Sequence, residues 1–189
     1  MDQNRLPPGQ TVTEKWPVLT YGETPRIDTS VWRFKLTGLV DEPTELAWDD
    51  LMALPSIRIT CDMHCVTRWS KFNSSFEGAR VRDLLSMARP RPGATHVMAQ
   101  SYGGYTTNIP LPDLMGDDVL LAYRYDGKPL EPDHGGPCRL LVPKLYLWKS
   151  AKWVNGFELM DKDRPGFWER AGYHMYGDPW KEERHGWSW

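Results

Sequence analysis

The chain has 189 residues, with 23 basic and 25 acidic side chains and a formal net charge of −2. This balance offers no excess positive charge for nucleic acid or for an anionic membrane, so we expect a small-molecule substrate instead. No run approaches the roughly 18 apolar residues that a membrane-spanning helix needs, and residues 1–8 lack the apolar segment of a secretory signal. Three cysteines are too few, and odd in number, for a disulfide framework, which favours a reducing compartment or one functional thiol. We therefore expect a cytoplasmic protein without a membrane span.

One domain accounts for most of the chain. Residues 1–15 are polar and contain prolines, which predicts a flexible N-terminal arm ahead of a single domain over residues 16–189. From residue 164 onward, aromatic side chains alternate with charges and glycines, and such a tail must pack on the body of the domain or expose its rings. There is no repeat and no linker. Many short strands and a few helices predict a mixed, strand-rich α+β fold.

In the first half of the chain, side-chain periodicity predicts short elements that end in turns. Apolar and polar residues alternate over residues 32–38, which is typical of a half-buried strand. A short helix is predicted over residues 47–54, before a proline. A second alternating strand covers residues 57–61, and the periodicity is then lost over residues 62–78. We therefore expect a loop that begins at the end of a strand, where functional groups often lie.

The second half continues in the same way. A helix is predicted over residues 81–88, and Asp126-Gly127 between two apolar runs predicts a hairpin with a type I′ turn. Further strands are expected at residues 97–101, 106–109 and 139–142, and an alternating strand is expected after Trp153, through Phe157 and Leu159.

Two thiols and an imidazole lie close together in the sequence, at Cys61, His64 and Cys65. They could be three ligands of a zinc site, with Cys138 or His134 as the fourth. A second interpretation is a thiol nucleophile assisted by either histidine. A third is a single loop cysteine that ligates a soft, oxidisable metal whose other ligands come from an organic cofactor. The plainest alternative is a buried strand end with inert thiols.

The third interpretation requires an anion-binding site elsewhere in the chain. Such a site is predicted at Arg139, Lys149, Ser150 and Lys152, which we call the anion cradle, because two ammonium groups, a guanidinium and a hydroxyl suit a phosphate. His134, on a glycine-rich turn five residues earlier, could add a ring N–H. Alternatively, the two lysines belong to a solvated basic surface.

Three segments follow one another in a recognisable order: Cys65-Val66-Thr67-Arg68-Trp69-Ser70, Tyr105-Thr106-Thr107-Asn108-Ile109-Pro110-Leu111, and His134-Gly135-Gly136-Pro137-Cys138-Arg139 through Lys149-Ser150-Ala151-Lys152-Trp153. Together with Gly166-Phe167-Trp168-Glu169 and Gly177-Asp178-Pro179-Trp180 in the tail, they resemble the molybdopterin-binding domain of the sulfite oxidase family. The resemblance is closer still to its small, single-domain bacterial branch.

The resemblance implies a role for particular residues. Cys65, not Cys61, would ligate molybdenum, and the position of Cys61 on the same strand face as Ile57 and Ile59 independently favours a core role for Cys61. Tyr105 matches a tyrosine near the metal. The resemblance implies further cofactor contacts at seven residues, which are Tyr21, Ser101, His134, Arg139, Ser150, Ala151 and Lys152. Lys149 is added to them as a member of the anion cradle.

The resemblance also implies an activity, which is two-electron oxygen-atom transfer by a molybdenum-molybdopterin oxidoreductase. The substrate would be a small sulfur- or nitrogen-type oxyanion or a sulfoxide, with Arg68 and Tyr105 as candidates to face it. Arg68 could equally form a surface ion pair. Because the chain lacks the haem and dimerisation domains of sulfite oxidases proper, we expect a separate redox partner. The alternative is a non-catalytic protein that binds zinc at Cys61, His64 and Cys65 or carries the pterin.

Overall fold

The computed structural model describes residues 5–186, in which eleven strands and four short α-helices are present. In chain order they are β1 (Thr11–Val12), β2 (Arg33–Gly38), β3 (Thr44–Ala47), α1 (Trp48–Ala53), β4 (Ser56–His64), β5 (Trp69–Arg80), α2 (Val81–Ala88), β6 (His96–Ser101), β7 (Thr106–Pro110), α3 (Leu111–Leu114), β8 (Leu120–Tyr125), β9 (Lys128–Pro129), β10 (Arg139–Leu141), β11 (Val154–Met160) and α4 (Phe167–Arg170). Three 3₁₀ turns are interspersed at Pro132–His134, Leu147–Lys149 and Pro179–Lys181.

The strands form two mixed sheets. The first has the order β1-β5-β8-β10, with β4 also paired to β5 and β9 to β8. The second has the order β3-β2-β11-β6-β7. One pair in each sheet is parallel, β1 with β5 and β11 with β2, and the other pairs are antiparallel. The mixed, strand-rich fold class predicted from the sequence is confirmed.

The main core lies where the two sheets and α2 meet. Phe34 and Leu36 of β2, Phe157 of β11 and Leu121 of β8 are all fully buried in one hydrophobic cluster. On β2 the intervening basic side chains are exposed, so the predicted alternation is the one observed. Burying such side chains contributes about 1.5–3 kcal/mol each, which explains why the amphipathic periodicity determines these strands.

The predicted helix over residues 81–88 and the predicted hairpin are also confirmed. The hairpin joins β8 to β9, and Asp126 and Gly127 have φ values of 46° and 76°. Both values lie in the left-handed region that a type I′ turn requires.

The loop predicted over residues 62–78 is wrong, because most of these residues belong to the β4–β5 hairpin. Only the four-residue turn Cys65–Arg68, which we call the Cys65 turn, separates the two strands. The inward positions of β5 include Ser70 and Ser74, which are fully buried. Small hydroxyl residues at core positions remove the hydrophobic signal on which periodicity analysis depends.

The N-terminal segment packs on the body of the domain, which corrects the prediction of a flexible arm for its described part. Thr11 and Val12 pair with Trp69 and Ser70 of β5, and the side chain of Gln10 is buried. Residues 1–4 and 187–189, which belong to the predicted arm and tail, lie outside the described residues. Within residues 5–186, no helix has both the length and the apolar character needed to cross a membrane.

Candidate active site

A cavity of about 430 Å³ opens beside the Cys65 turn. Its lining comes mainly from three places: the Cys65 turn, the 3₁₀ turn Leu147–Lys149 with the residues after it, and α4. Nine aromatic side chains face it: Trp16, Tyr21, Trp69, Tyr105, Trp148, Trp153, Phe167, Trp168 and Tyr173. We call the four that come from the C-terminal third and pack together the aromatic wall; they are Trp148, Phe167, Trp168 and Tyr173.

Cys65 lines this cavity, and Cys61 does not. The Cys65 Sγ lies 3.1 Å from Thr67 Oγ1, and burial raises the pKa of the thiol. Cys61 instead packs beside Ile57 and Ile59 against the smaller hydrophobic cluster, where burial raises its pKa to about 12. The two thiols therefore occupy different environments, as the strand periodicity predicts.

The structure does not assemble the zinc site that Cys61, His64 and Cys65 could form. His64 Nδ1 lies 2.8 Å from Ser70 Oγ in the hairpin. Among residues 5–186, no group of three or more histidine, cysteine, aspartate or glutamate side chains is arranged to hold a metal ion.

Three residues of the anion cradle, Arg139, Ser150 and Lys152, line the cavity together. Arg139 is buried and donates hydrogen bonds to the carbonyl oxygens of His134 at 2.7 Å and Ser150 at 2.8 Å. Burial lowers its pKa to about 10, so the guanidinium stays cationic at neutral pH. Ser150 Oγ accepts a 2.9 Å hydrogen bond from the Val142 amide, and Ala151 follows it on the lining. These contacts hold Arg139 and Ser150 in fixed positions.

Lys152 also lines the cavity and holds Leu19 and Thr20, which belong to the same lining. Its Nζ donates to Leu19 O at 3.0 Å, Thr20 Oγ1 at 2.8 Å and Asp133 O at 2.6 Å. Burial and then the nearby Arg139 lower its pKa to about 8. Lys152 is therefore the lining cation whose charge is most sensitive to pH.

The sequence predicts Lys149 as part of the anion cradle, but the structure places it elsewhere. Its side chain is fully buried, does not reach the cavity lining, and bonds to Glu169, Asn108 and Met175. A fully buried ammonium that lies off the lining cannot reach a phosphate bound in the cavity. Because its side chain is fully buried, Lys149 also does not belong to the solvated basic surface that was the alternative interpretation.

Arg68 likewise departs from its predicted position facing a substrate. It is exposed on the Cys65 turn with φ 72°, and it is absent from the cavity lining. Its Nη1 lies 3.0 Å from where a Cβ on Gly9 would stand, so the side chain extends toward the N-terminal segment.

Tyr105 and Tyr21 both line the cavity, in contrasting environments. The Tyr105 hydroxyl donates a 2.6 Å hydrogen bond to Trp148 O, and burial raises the pKa of the phenol. Tyr21 is 73% exposed at the cavity mouth, where its ring contacts Phe167 and Trp168. Tyr105 therefore belongs to the interior of the site and Tyr21 to its entrance.

His134 and Ser101 do not line the cavity, but each carries a buried polar atom without a protein partner, Nδ1 and Oγ. The His134 ring stacks 3.8 Å from that of Trp16, which does line it. Burial, followed by Arg139 and Lys152, lowers the pKa of His134 to about 4, so its imidazole is neutral at pH 7. Buried polar atoms without partners are uncommon and often mark a ligand-binding region.

Comparison with known protein families decides the classification. The family model described as "Oxidoreductase molybdopterin binding domain" matches residues 21–168. The chain belongs to this family.

Within the oxidoreductase molybdopterin-binding family, the chain is 44% identical over 185 residues to the uncharacterized oxidoreductase YuiH of Bacillus subtilis, spanning 97% of this chain and 93% of that protein. It is 30% identical to the catalytic subunit MsrP of the protein-methionine-sulfoxide reductase of Gluconobacter oxydans, covering 77% of this chain and 52% of that protein. It is 28% identical to Arabidopsis thaliana sulfite oxidase, with coverages of 82% and 49%. The chain thus spans about half the length of the latter two.

A solved structure has the same fold. The sulfane dehydrogenase SoxCD from Paracoccus pantotrophus superposes with a TM-score of 0.69 at 23% identity, covering 79% of this chain and 42% of that one.

The residues present fit the molybdenum cofactor that the family implies. The cavity has room for an organic group of that size class and presents the Cys65 thiol, which would bind a soft metal as a thiolate. Arg139 and Lys152 provide cationic donors, and the unpaired atoms of His134 and Ser101 lie in residues next to the lining. A cofactor of this kind would be held by Arg139, Ser150, Ala151, Lys152 and the Cys65 Sγ.

Several residues of the site were not found from the sequence. Gln10, Arg184 and Trp16 touch the Cys65 turn or the cavity from distant parts of the chain, and no local pattern marks them. The sequence predicted the aromatic wall only in part: the many aromatic side chains of the tail indicated that it packs on the body of the domain, but not that it lines the cavity.

Proposed function

We propose that this chain is a molybdenum-molybdopterin oxidoreductase that catalyses two-electron oxygen-atom transfer. The observation that carries the proposal is the position of Cys65: it is the thiol on the lining of a cavity that also presents Arg139 and Lys152. One soft ligand and two cationic donors on the same lining suit a metal held by an anionic organic cofactor.

Each side chain has a separate task in this proposal. Cys65 is the protein ligand of the metal, and a single protein ligand leaves coordination positions open for reaction. Arg139 and Lys152 bind the anionic part of the cofactor, while Ser150 and Ala151 contribute the adjoining backbone surface. The bound cofactor would supply the two-electron chemistry, and the protein determines its orientation and surroundings. The Tyr105 hydroxyl is fixed by Trp148 O and holds its proton, since its pKa is raised.

We propose a neutral sulfoxide as the substrate class. The aromatic wall presents apolar rings to the same cavity that Cys65 lines. Among the described residues, the basic side chains on the lining are Arg139 and Lys152, both assigned to the cofactor. With Arg68 directed away, the site offers an oxyanion no further cation. The relative named for methionine sulfoxide supports the same class.

The overall reaction is the reduction of a sulfoxide by two electrons and two protons, which yields the sulfide and water. Electrons must come from a separate donor, and the printed description of the MsrP relative as a catalytic subunit supports this division of labour. The three cysteines are unpaired, which supports a reducing, cytoplasmic location.

A dye-linked assay tests the proposed substrate class. Protein from a host that makes molybdopterin would be supplied with a reduced viologen and a sulfoxide or an N-oxide, or with an oxidising dye and sulfite. We expect turnover with sulfoxides and a kcat/KM at least about tenfold lower with sulfite. Preferential sulfite oxidation would contradict the substrate class. Full binding of molybdenum without turnover of any of the three would favour the alternative, a non-catalytic cofactor carrier.

A further inference from the structure

Lys149 and Glu169 form an ion pair that is sealed from solvent behind the cavity. Lys149 Nζ lies 2.7 Å from Glu169 Oε1, and both side chains are 0% exposed. Neither residue lines the cavity. Burying two charges costs hydration that their attraction often only balances, so such a pair is weak evidence for stability alone. Its other hydrogen bonds show what it holds in place.

Glu169 connects two parts of the aromatic wall. Its Oε1 accepts a 2.8 Å hydrogen bond from the Trp148 indole Nε1 and a 2.9 Å bond from Thr107 Oγ1. Glu169 also belongs to α4, which contributes Phe167 and Trp168 to the wall. A single carboxylate oxygen therefore fixes the Trp148 ring and ties α4 to β7.

Lys149 fixes the third part of the wall. Its Nζ donates to Met175 O at 2.6 Å and to Asn108 O at 2.8 Å. Met175 lies two residues after Tyr173, the wall residue that lines the cavity together with Cys65. The ammonium thus ties the segment that carries Tyr173 to β7. The position of the wall relative to Cys65 consequently depends on both members of the pair.

We propose that Lys149 and Glu169 are positioning residues, which hold the aromatic wall at its position relative to Cys65 so that the substrate can bind between them. This inference rests on the proposed function, because the wall is the surface that would receive the apolar group of the substrate. Neither residue touches substrate or cofactor, and both act through Trp148 and Tyr173.

The first test is spectroscopic and needs no molybdenum. In a ¹⁵N-labelled sample, the indole N–H resonance of Trp148 is assigned with Trp148→Phe. Because a charged acceptor strengthens the bond, Glu169→Gln should shift this resonance upfield. Lys149→Met should leave the bond in place but raise amide hydrogen exchange over residues 171–176, since Met175 O loses its donor. Glu158→Gln is the matched control, because it removes the carboxylate of the exposed Arg164–Glu158 pair and should change neither signal.

The second test separates binding from chemistry. In molybdenum-loaded protein, each single variant should raise KM for an aryl methyl sulfoxide about tenfold while kcat stays within about twofold. Molybdenum content should not change. The double variant Lys149→Met/Glu169→Gln avoids an uncompensated buried charge but still lacks the donor to Met175 O, so its KM should stay raised about tenfold. If a single variant fails to fold, the double variant still tests the exchange over residues 171–176.

An unmoved Trp148 resonance together with unchanged exchange over residues 171–176 would overturn the inference. So would a loss of molybdenum with unchanged KM, because the pair would then act on the cofactor. Wild-type protein that lacks molybdenum or turnover would overturn the proposed function instead. In that case the resonance and exchange results still decide whether the pair positions the wall.

Discussion

Arg184 Nη2 donates a 2.9 Å hydrogen bond to Gln10 Oε1, which joins the C-terminal segment to the N-terminal one directly against the Cys65 turn. Gln10 Nε2 in turn donates to Cys65 O at 3.1 Å, and Arg184 Nη1 donates to Val66 O at 2.7 Å. Both side chains are buried. The turn that carries the proposed metal ligand is therefore braced by the two ends of the described chain.

Removing this brace should loosen the Cys65 turn. Gln10→Ala removes one of the two donors to Cys65 O and the side-chain amide acceptor of the Arg184 guanidinium, and we expect a loss of about 1–3 kcal/mol in the free energy of unfolding. Amide exchange should rise at residues 65–68. Urea denaturation and hydrogen exchange measure the two effects. Thr13→Ala, at a residue whose hydroxyl accepts only an exposed local bond, is the control and should stay within about 0.5 kcal/mol. Equal losses in both variants would contradict the assignment.

The charge of Lys152 should make anion binding by the cofactor-free protein depend on pH. Its pKa is lowered to about 8, so the ammonium loses its proton as the pH rises through that value. Sulfate keeps a constant charge over this range, and its affinity should fall several-fold between about pH 7 and about pH 9.5. Isothermal titration calorimetry measures this change. Lys152→Gln should bind sulfate weakly at both pH values, and a pH-independent affinity in the wild type would refute the assignment.

His134 should weaken the fold in mild acid. Its pKa is about 4 in the folded protein and 6.5 ordinarily, so the unfolded chain takes up a proton first as the pH falls. The free energy of unfolding should therefore fall between about pH 6.5 and about pH 4, and His134 should have no such effect above that range. Urea denaturation at about pH 7 and about pH 5 measures the slope. His134→Phe keeps a ring against Trp16 and should flatten this dependence; an unchanged slope would exclude His134 as its source.

The sequence supplied the parts of the fold that large apolar residues determine. The alternation around Phe34 and Leu36 correctly predicts β2, and Asp126-Gly127 correctly predicts the hairpin. Side-chain periodicity did not predict β5, because the buried Ser70 and Ser74 carry no hydrophobic signal. Small core residues fit where strands pack closely, so their burial becomes visible only in three dimensions.

The site shows a similar division. Cys65 and Cys61 were separated correctly, because strand periodicity distinguishes a core face from a strand end. Lys149 and Lys152 are three residues apart and chemically alike, yet one lies behind the aromatic wall and the other on the cavity. The difference depends on Glu169, which is distant in sequence. No local pattern reveals such a partner.

We propose that Cys65 is the one protein ligand of molybdenum, and elemental analysis tests this assignment most directly. Wild type, Cys65→Ser and Cys61→Ser would be purified from a host that synthesises molybdopterin. Wild type and Cys61→Ser should contain stoichiometric molybdenum, and Cys65→Ser should lose it, because a hydroxyl is a poor ligand for a soft metal. Molybdenum retained in Cys65→Ser, or zinc lost equally from both variants, would contradict the account.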